Sequence, residues 1–212
     1  MHLILCLLFS YLMGSIPVSL IIGKVFFNKD VRKYGSKNLG GTNAGRVLGK
    51  AAGVSVIFLD HLKAILAILL VTLYVNNFAP NIVNLAIYLS SICIILGHCY
   101  PIFANFKGGK AVACTYGILF ITNIYLYVIA ALTFLLILKL SKYVSLSSVC
   151  SIFIAALISL IPIFRYSPFL SISFDIYYSI LILIIASFVL FKHKANIIRL
   201  KNGTENKIKW MK

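Results

Sequence analysis

The sequence predicts an all-α fold, a polytopic integral membrane bundle of seven helices with five as the alternative. Three observations carry this. First, 61% of the 212 residues are hydrophobic and only 11% are charged, with a mean hydropathy of +1.02. A soluble domain carries roughly 25% charged residues. That composition excludes a soluble enzyme, and its hydrophobicity excludes a disordered chain. Second, the apolar residues fall into runs of about 20, the length that crosses a bilayer. Third, the 20 Lys and Arg, against 4 Asp and Glu, lie in the gaps between those runs, as a topology signal does. The net charge of +16 is thus explained without nucleic acid.

The runs, in order, are 3–27, 51–75, 81–104, 111–140, 144–164 and 175–191. The first is interrupted at Gly14-Ser15-Ile16-Pro17 and lacks a basic start or A-x-A cleavage site, so it reads as a retained span. Taken once each, they make an even number of crossings. The basic segments 28–50 (Lys29, Arg32, Lys33, Lys37, Arg46, Lys50) and 192–212 (Lys192, Lys194, Arg199, Lys201, Lys207, Lys209, Lys212) would then face opposite sides. The positive-inside rule places both in the cytoplasm. Splitting the long run 111–140 near Thr122-Asn123 resolves the conflict, at the expense of two arms of roughly 22 Å, short against a core of about 30 Å. The resulting topology has the N-terminus outside and residues 28–50, 105–110 and 192–212 inside. The whole chain, 1–212, reads as a single membrane-embedded domain. Five cysteines at irregular spacing indicate neither disulfides nor zinc and read as small buried hydrophobes.

The polar segments hold the candidate chemistry. In residues 35–46, four glycines permit turns that expose backbone N–H groups, which form nests for phosphate oxygens. Ser36, Asn38, Thr42 and Asn43 add hydrogen-bond partners, and Arg46 adds a fork suited to phosphate. An ordinary polar loop has a similar composition. In residues 97–110, Lys107, Gly108, Gly109 and Lys110 again join glycine amides to cations ahead of the next helix, whose dipole favours an anion. Topology anchoring explains the two lysines equally, and His98 reads as a helix-end histidine. In residues 192–205, a helix would bring His193, Asn196 and Arg199 to one face, able to polarise a hydroxyl and hold an anion. A basic tail held by lipid headgroups accounts for the lysines but not for His193 and Asn196. Asp60 and Lys63, i,i+3 inside an apolar run, are an intramembrane pair that is structural or functional. No H-x-x-x-x-D dyad, G-x-S-x-G elbow or carboxylate cluster occurs, so no metal or cofactor is expected.

Taken together, these segments resemble the motifs of the bacterial acyl-phosphate:glycerol-3-phosphate acyltransferases, the PlsY family. G-S-G-N-x-G-A-T-N-x-x-R is matched by Gly35, Ser36, Asn38, Gly40, Thr42, Asn43 and Arg46. G-H-x-x-P-x-F-x-x-F-K-G-G-K is matched from Gly97 to Lys110. H-x-x-N-I-x-R-L-x-x-G-x-E is matched by His193, Asn196, Ile197, Arg199, Leu200, Gly203 and Glu205. The upstream Gly14-Ser15-Ile16-Pro17 and the downstream Asp60 and Lys63 fit as well. Lys37 and Ala111 stand where the family has glycine, Gly41 where it has alanine, and Cys114 where it has threonine.

The resemblance implies transfer of a fatty acyl group from an acyl phosphate to the primary hydroxyl of glycerol 3-phosphate. The products are 1-acyl-glycerol 3-phosphate (lysophosphatidic acid) and phosphate, in phospholipid biosynthesis. It implies a monomer in the bacterial cytoplasmic (inner) membrane, among lipids, with a cytoplasmic active site. Ser36, His193 and Asn196 become candidate catalytic residues, and Asn38, Thr42, Asn43, Arg46, Lys107, Gly108, Gly109, Lys110 and Arg199 candidate phosphate ligands. Either His193 or a substrate phosphate serves as the base, since both titrate near neutrality. The alternative function is a membrane transporter for an organic phosphate, against which the sequence shows no duplicated halves.

Overall fold

In the computed structural model, residues 1–208 are described, so Lys209 and Lys212 of the basic tail lie outside the described residues. The chain forms two compact units, Met1–Ile121 and Thr122–Lys212.

The first unit holds α1 (His2–Ser15), α2 (Val18–Phe27), α3 (Gly41–Leu48), α4 (Lys50–Phe78) and α5 (Val83–Cys99). It also holds most of α6 (Val112–Thr122). The expected interruption is real: α1 ends at Ser15, and Pro17, which cannot donate a backbone hydrogen bond, precedes α2. Residues 28–50 were expected as a loop, yet they contain α3. Its Asn43, Ala44 and Leu48 are buried while Thr42 and Arg46 are exposed, so one turn of spacing separates a packed face from a polar one. Helices cross through small residues: a β-carbon on Gly97 would strike the Tyr11 carbonyl, and one on Gly53 would sit 2.6 Å from Gly45 Cα. Such close backbone approach is the usual packing device of membrane helices.

The second unit holds α7 (Ile124–Ser141), α8 (Val144–Ile158), α9 (Ile176–Lys192) and α10 (Lys194–Lys201). The run 111–140 breaks where the sequence placed its turn. Asn123 caps α7 by accepting the Leu126 N–H at 2.9 Å, and its amide donates to the Phe164 and Tyr166 carbonyls. The sequence also expected helix to residue 164, but α8 stops at Ile158. The chain continues through a 3-10 turn into a two-stranded antiparallel hairpin, β1 (Tyr166–Ser167) and β2 (Ile172–Ser173). Helix and strand compete here because Pro162 cannot extend the α8 ladder.

Many serines are enclosed while large apolar side chains face outward. Ser10, Ser15, Ser19, Ser90, Ser91, Ser147 and Ser151 are buried, while Leu12, Phe26, Val54, Phe58, Leu73 and Leu132 are exposed. Water would penalise that surface, and a lipid surround removes the penalty. Among the described residues, four helical segments are long and apolar enough to cross a membrane: His2–Phe27, Lys50–Phe78, Pro80–Ala104 and Ile124–Ser141. The bent pair α9–α10, 58° between axes, makes up to 5. Apolar helices α6 and α8 are shorter, about 16 Å and about 22 Å at 1.5 Å per residue. The protein is a helical, multi-pass membrane protein. Among the described residues no two cysteines form a disulfide, and Cys6, Cys99 and Cys114 are buried.

Candidate active site

The first motif is shaped by one amide. Asn43, 1% exposed, accepts the Ser36 N–H at 2.8 Å through Oδ1. Its Nδ2 lies 3.0–3.2 Å from the carbonyls of Val31, Tyr34 and Asn38. Asn38 Oδ1 accepts the Gly40 N–H at 2.9 Å. A β-carbon at Gly35, whose φ is +58°, would collide with Asn43 Oδ1, so that turn needs glycine. Around this frame Ser36, Thr42 and Arg46 are exposed. Asp30 and Arg32 brace the loop's entry with a paired contact, Nη2 to Oδ2 at 2.7 Å. That hydrogen bond from Arg32 holds the Asp30 carboxyl well below its usual range, at about 2.

The second motif docks on the first. The Leu39 N–H points to the Gly108 carbonyl at 3.5 Å, and Arg32 Nη1 reaches the Ala104 carbonyl at 3.4 Å. Asn105 and Phe106 both take left-handed φ, and Lys107 is exposed. The Gly109 N–H donates to the His98 carbonyl at 3.0 Å. Gly108 and Gly109 are needed for close approach. A β-carbon on Gly108 would strike the His98 carbonyl, and one on Gly109 would strike His98 Nε2. A methyl at Gly108 would point into the end of α5.

Beneath this loop lies the intramembrane pair. Lys63 Nζ is 2.7 Å from Asp60 Oδ1, and both side chains are more than nine-tenths buried. The contact is ionic rather than an aligned hydrogen bond. Sequence reasoning passed over His98 as a helix-end residue, yet its Nδ1 lies 3.2 Å from Lys63 Nζ and 3.5 Å from Asp60 Oδ1. The available signal was an ionisable side chain at the end of one apolar run while another run held a charged pair.

The third motif is built in the second unit. His193 is the joint between α9 and α10 and is 4% exposed. Its Nδ1 is 2.8 Å from the Val189 carbonyl. A carbonyl only accepts, so Nδ1 carries the hydrogen and Nε2 is the basic nitrogen of the neutral ring. Residues 194–201 form the expected helix. Its Asn196 donates to Glu205 Oε1 at 2.7 Å, and Arg199 Nε to Oε2 at 2.7 Å. Ser145 Oγ adds a third bond at 2.9 Å. Burial raises the Glu205 carboxyl, but the donors from Asn196, Arg199 and Ser145 outweigh it and hold the group below its ordinary range. Glu205, quoted only as a motif position, is thus the residue on which Asn196 and Arg199 converge.

The family model for glycerol-3-phosphate acyltransferase covers residues 4–203, which spans both units. The chain is 45% identical over 210 residues to the glycerol-3-phosphate acyltransferase of Listeria monocytogenes, covering 99% of this chain and 98% of that protein. It is 40% identical to that of Enterococcus faecalis, covering 98% and 93%. Among solved structures it is similar to PlsY, an integral membrane glycerol 3-phosphate acyltransferase, in its glycerol 3-phosphate form. The TM-score is 0.85 at 31% identity, over 99% of this chain and 96% of that one. The lysophosphatidic acid form gives a TM-score of 0.83 at 30% identity. With motifs, fold and full-length identity in agreement, the chain belongs to the glycerol-3-phosphate acyltransferase family.

Proposed function

We propose that this acyltransferase uses a fatty acyl phosphate as donor and glycerol 3-phosphate as acceptor. The primary hydroxyl oxygen attacks the acyl carbonyl carbon, and a new ester C–O bond forms. The carbonyl carbon's bond to the phosphate oxygen breaks, phosphate leaves, and the hydroxyl proton passes to a base. An acyl phosphate has a good leaving group, so the enzyme's work is orientation and charge stabilisation. No metal or cofactor has a role in this reading. The observation that carries it is the docking of the two glycine segments, Leu39 N–H to the Gly108 carbonyl, in a chain that matches its relatives end to end.

Geometry and motif position support the following residue roles. Thr42 and Arg46, exposed at i,i+4 on α3, and Lys107 and Lys110 supply side-chain contacts to phosphate. Gly108 and Gly109 supply the backbone of the cradle for the acceptor's phosphate. Ser36 hydrogen-bonds the reacting group, while Asn38 and Asn43 keep the loop in shape. His193 accepts the proton at Nε2, or leaves it to a substrate phosphate, and Asn196 orients the hydroxyl. Arg199 serves with Glu205 to set Asn196. The protein works as a monomer among the lipids of the bacterial cytoplasmic membrane. It crosses seven times, with residues 28–50, 105–110 and 192–212 facing the cytoplasm.

The deciding experiment supplies purified protein with palmitoyl phosphate and glycerol 3-phosphate, and measures phosphate release and lysophosphatidic acid. Acyl-CoA and acyl-carrier protein serve as control donors. Turnover only with the thioesters overturns the donor, and none with any donor revives an organic-phosphate transporter. Arg46→Ala removes a charge-assisted bond of about 1.5–3 kcal/mol, hence roughly ten- to a hundredfold in kcat/KM. For topology, single cysteines at positions 37, 107 and 202 in a cysteine-free background should all label from the cytoplasmic side. Labelling of any of them only from outside defeats the seven-span arrangement.

A further inference from the structure

The Asp60–Lys63–His98 cluster lies outside the groups assigned to the substrates. Lys63 is a cation with no acceptor; it pairs with Asp60 on its own helix, and two other segments meet it. Asp60 on α4 is at 2.7 Å, His98 Nδ1 on α5 is at 3.2 Å, and the Ile16 carbonyl is at 2.8 Å. The last belongs to the break between α1 and α2. One ammonium therefore ties three segments at a single buried point.

A metal site is the rival reading, because Asp60, His98 and Cys114 present ligand atoms within 4.8 Å of one another. The Lys63 ammonium already sits against the Asp60 and His98 donor atoms, and Cys114 Sγ donates to the Asp60 carbonyl at 3.4 Å. The cation of this cluster is the lysine.

The cluster also has an outlet. His98 bonds the Gly109 N–H through its carbonyl, and its ring Nε2 lies where a Gly109 side chain would begin. The Gly108 backbone rests on the His98 and Cys99 carbonyls. A pair that only oriented helices would be replaced by apolar side chains without loss, often with a gain. A pair that fixes the ring under a glycine loop would not.

We propose that Asp60, Lys63 and His98 are positioning residues for the phosphate-binding loop: the buried ion pair fixes the His98 ring, and the ring sets the placement of Gly108 and Gly109. This rests on the assignment of that loop to the acceptor's phosphate.

The test uses the full chain in lipid nanodiscs, with His98→Gln and the charge-neutral double variant Asp60→Asn/Lys63→Met. In both, KM for glycerol 3-phosphate should rise about tenfold with kcat changed less than about threefold. KM for palmitoyl phosphate should stay put. Hydrogen exchange of a peptide spanning residues 100–111 should accelerate, with other helices unchanged. Wild-type KM together with wild-type exchange in a folded His98→Gln protein overturns the proposal. So does a fall in the folded fraction with KM unchanged, which marks a merely structural anchor. If the double variant does not fold, His98→Gln decides alone. The exchange measurement needs no turnover: inactivity of the wild-type enzyme counts against the acyl-transfer reading, whereas a loosened loop in the variants still supports positioning.

Discussion

In the first motif of the first unit, Asn43 and Asn38 hold backbone; in the second unit, Glu205 gathers side chains. Asn43 binds one N–H and three carbonyls through its side chain, and the Asn38 side chain takes the Gly40 N–H. By contrast, Glu205 accepts from the side chains of Asn196, Arg199 and Ser145. The difference follows from the chemistry each region presents. A cradle of amides is defined by φ and ψ, so its supports must grip the main chain. A proton-transferring or orienting side chain is defined by its rotamer, so its supports must grip the side chain.

The sharpest division comes from His193. Replacement by alanine should lower kcat by about 10²–10⁴ and remove an ionisation from the pH profile. A profile that keeps its shape while binding weakens transfers the base to a substrate phosphate. Next in size is Gly108→Ala. The added methyl would lie against the His98 carbonyl and 2.8 Å from the Cys99 carbonyl. Overpacking of about 1–3 kcal/mol should show as a lowered melting temperature together with a raised KM for glycerol 3-phosphate. Wild-type binding and stability would break the claim that the loop is held by its backbone.

Glu205→Gln keeps the shape of the second region and removes its charge. We expect kcat to fall by roughly tenfold or less, through a misaligned Asn196. The same variant isolates a pH effect. Because the folded state lowers the Glu205 pKa, its pairings contribute fully above the ordinary Glu range of about 4.3. They are lost as pH falls through the lower folded value. Melting temperatures of wild type and Glu205→Gln should therefore converge in acid and separate toward neutrality. A constant gap at every pH sinks the role given to the carboxylate.

The smallest effects are expected at Lys37 and Ala111. Their φ values are +58° and +62°, a region that costs a side chain roughly 1–2 kcal/mol. The family's motif has glycine at both. Glycine loses about 0.4–1 kcal/mol through the unfolded chain, so Ala111→Gly should stabilise by about 1 kcal/mol or less, read as a small rise in melting temperature. A fall would mean that Ala111, fully buried, matters through its methyl contacts.

These two residues also show how legible the site was. The departures from the motif were visible as letters, but only the backbone shows that the glycine conformation persists beneath them. The helix that carries Asn196 and Arg199 was readable because helical spacing is local, whereas His193 stands at the joint before it. The pairing of Arg199 with Glu205 was not readable, because Glu205 lies past the helix end and across a turn at Gly203.

From composition and periodicity alone came the membrane class, the apolar runs, the breaks at Ile16-Pro17 and at Asn123, and the Asp60–Lys63 pair. Each depends on residues a few positions apart, and the bilayer imposes length and charge rules that a linear pattern obeys. Tertiary structure decided what local patterns do not encode. His98 joins Lys63 across 35 positions, and Ser145 meets Glu205 across 60. Asn43 turns inward because the α3 face that carries it packs on the interior, and α3 is held against α4 where Gly45 meets Gly53. Contacts between distant segments form because burial and the need to pair every enclosed polar group choose among many chain-compatible partners, and that choice is made only when the helices have packed.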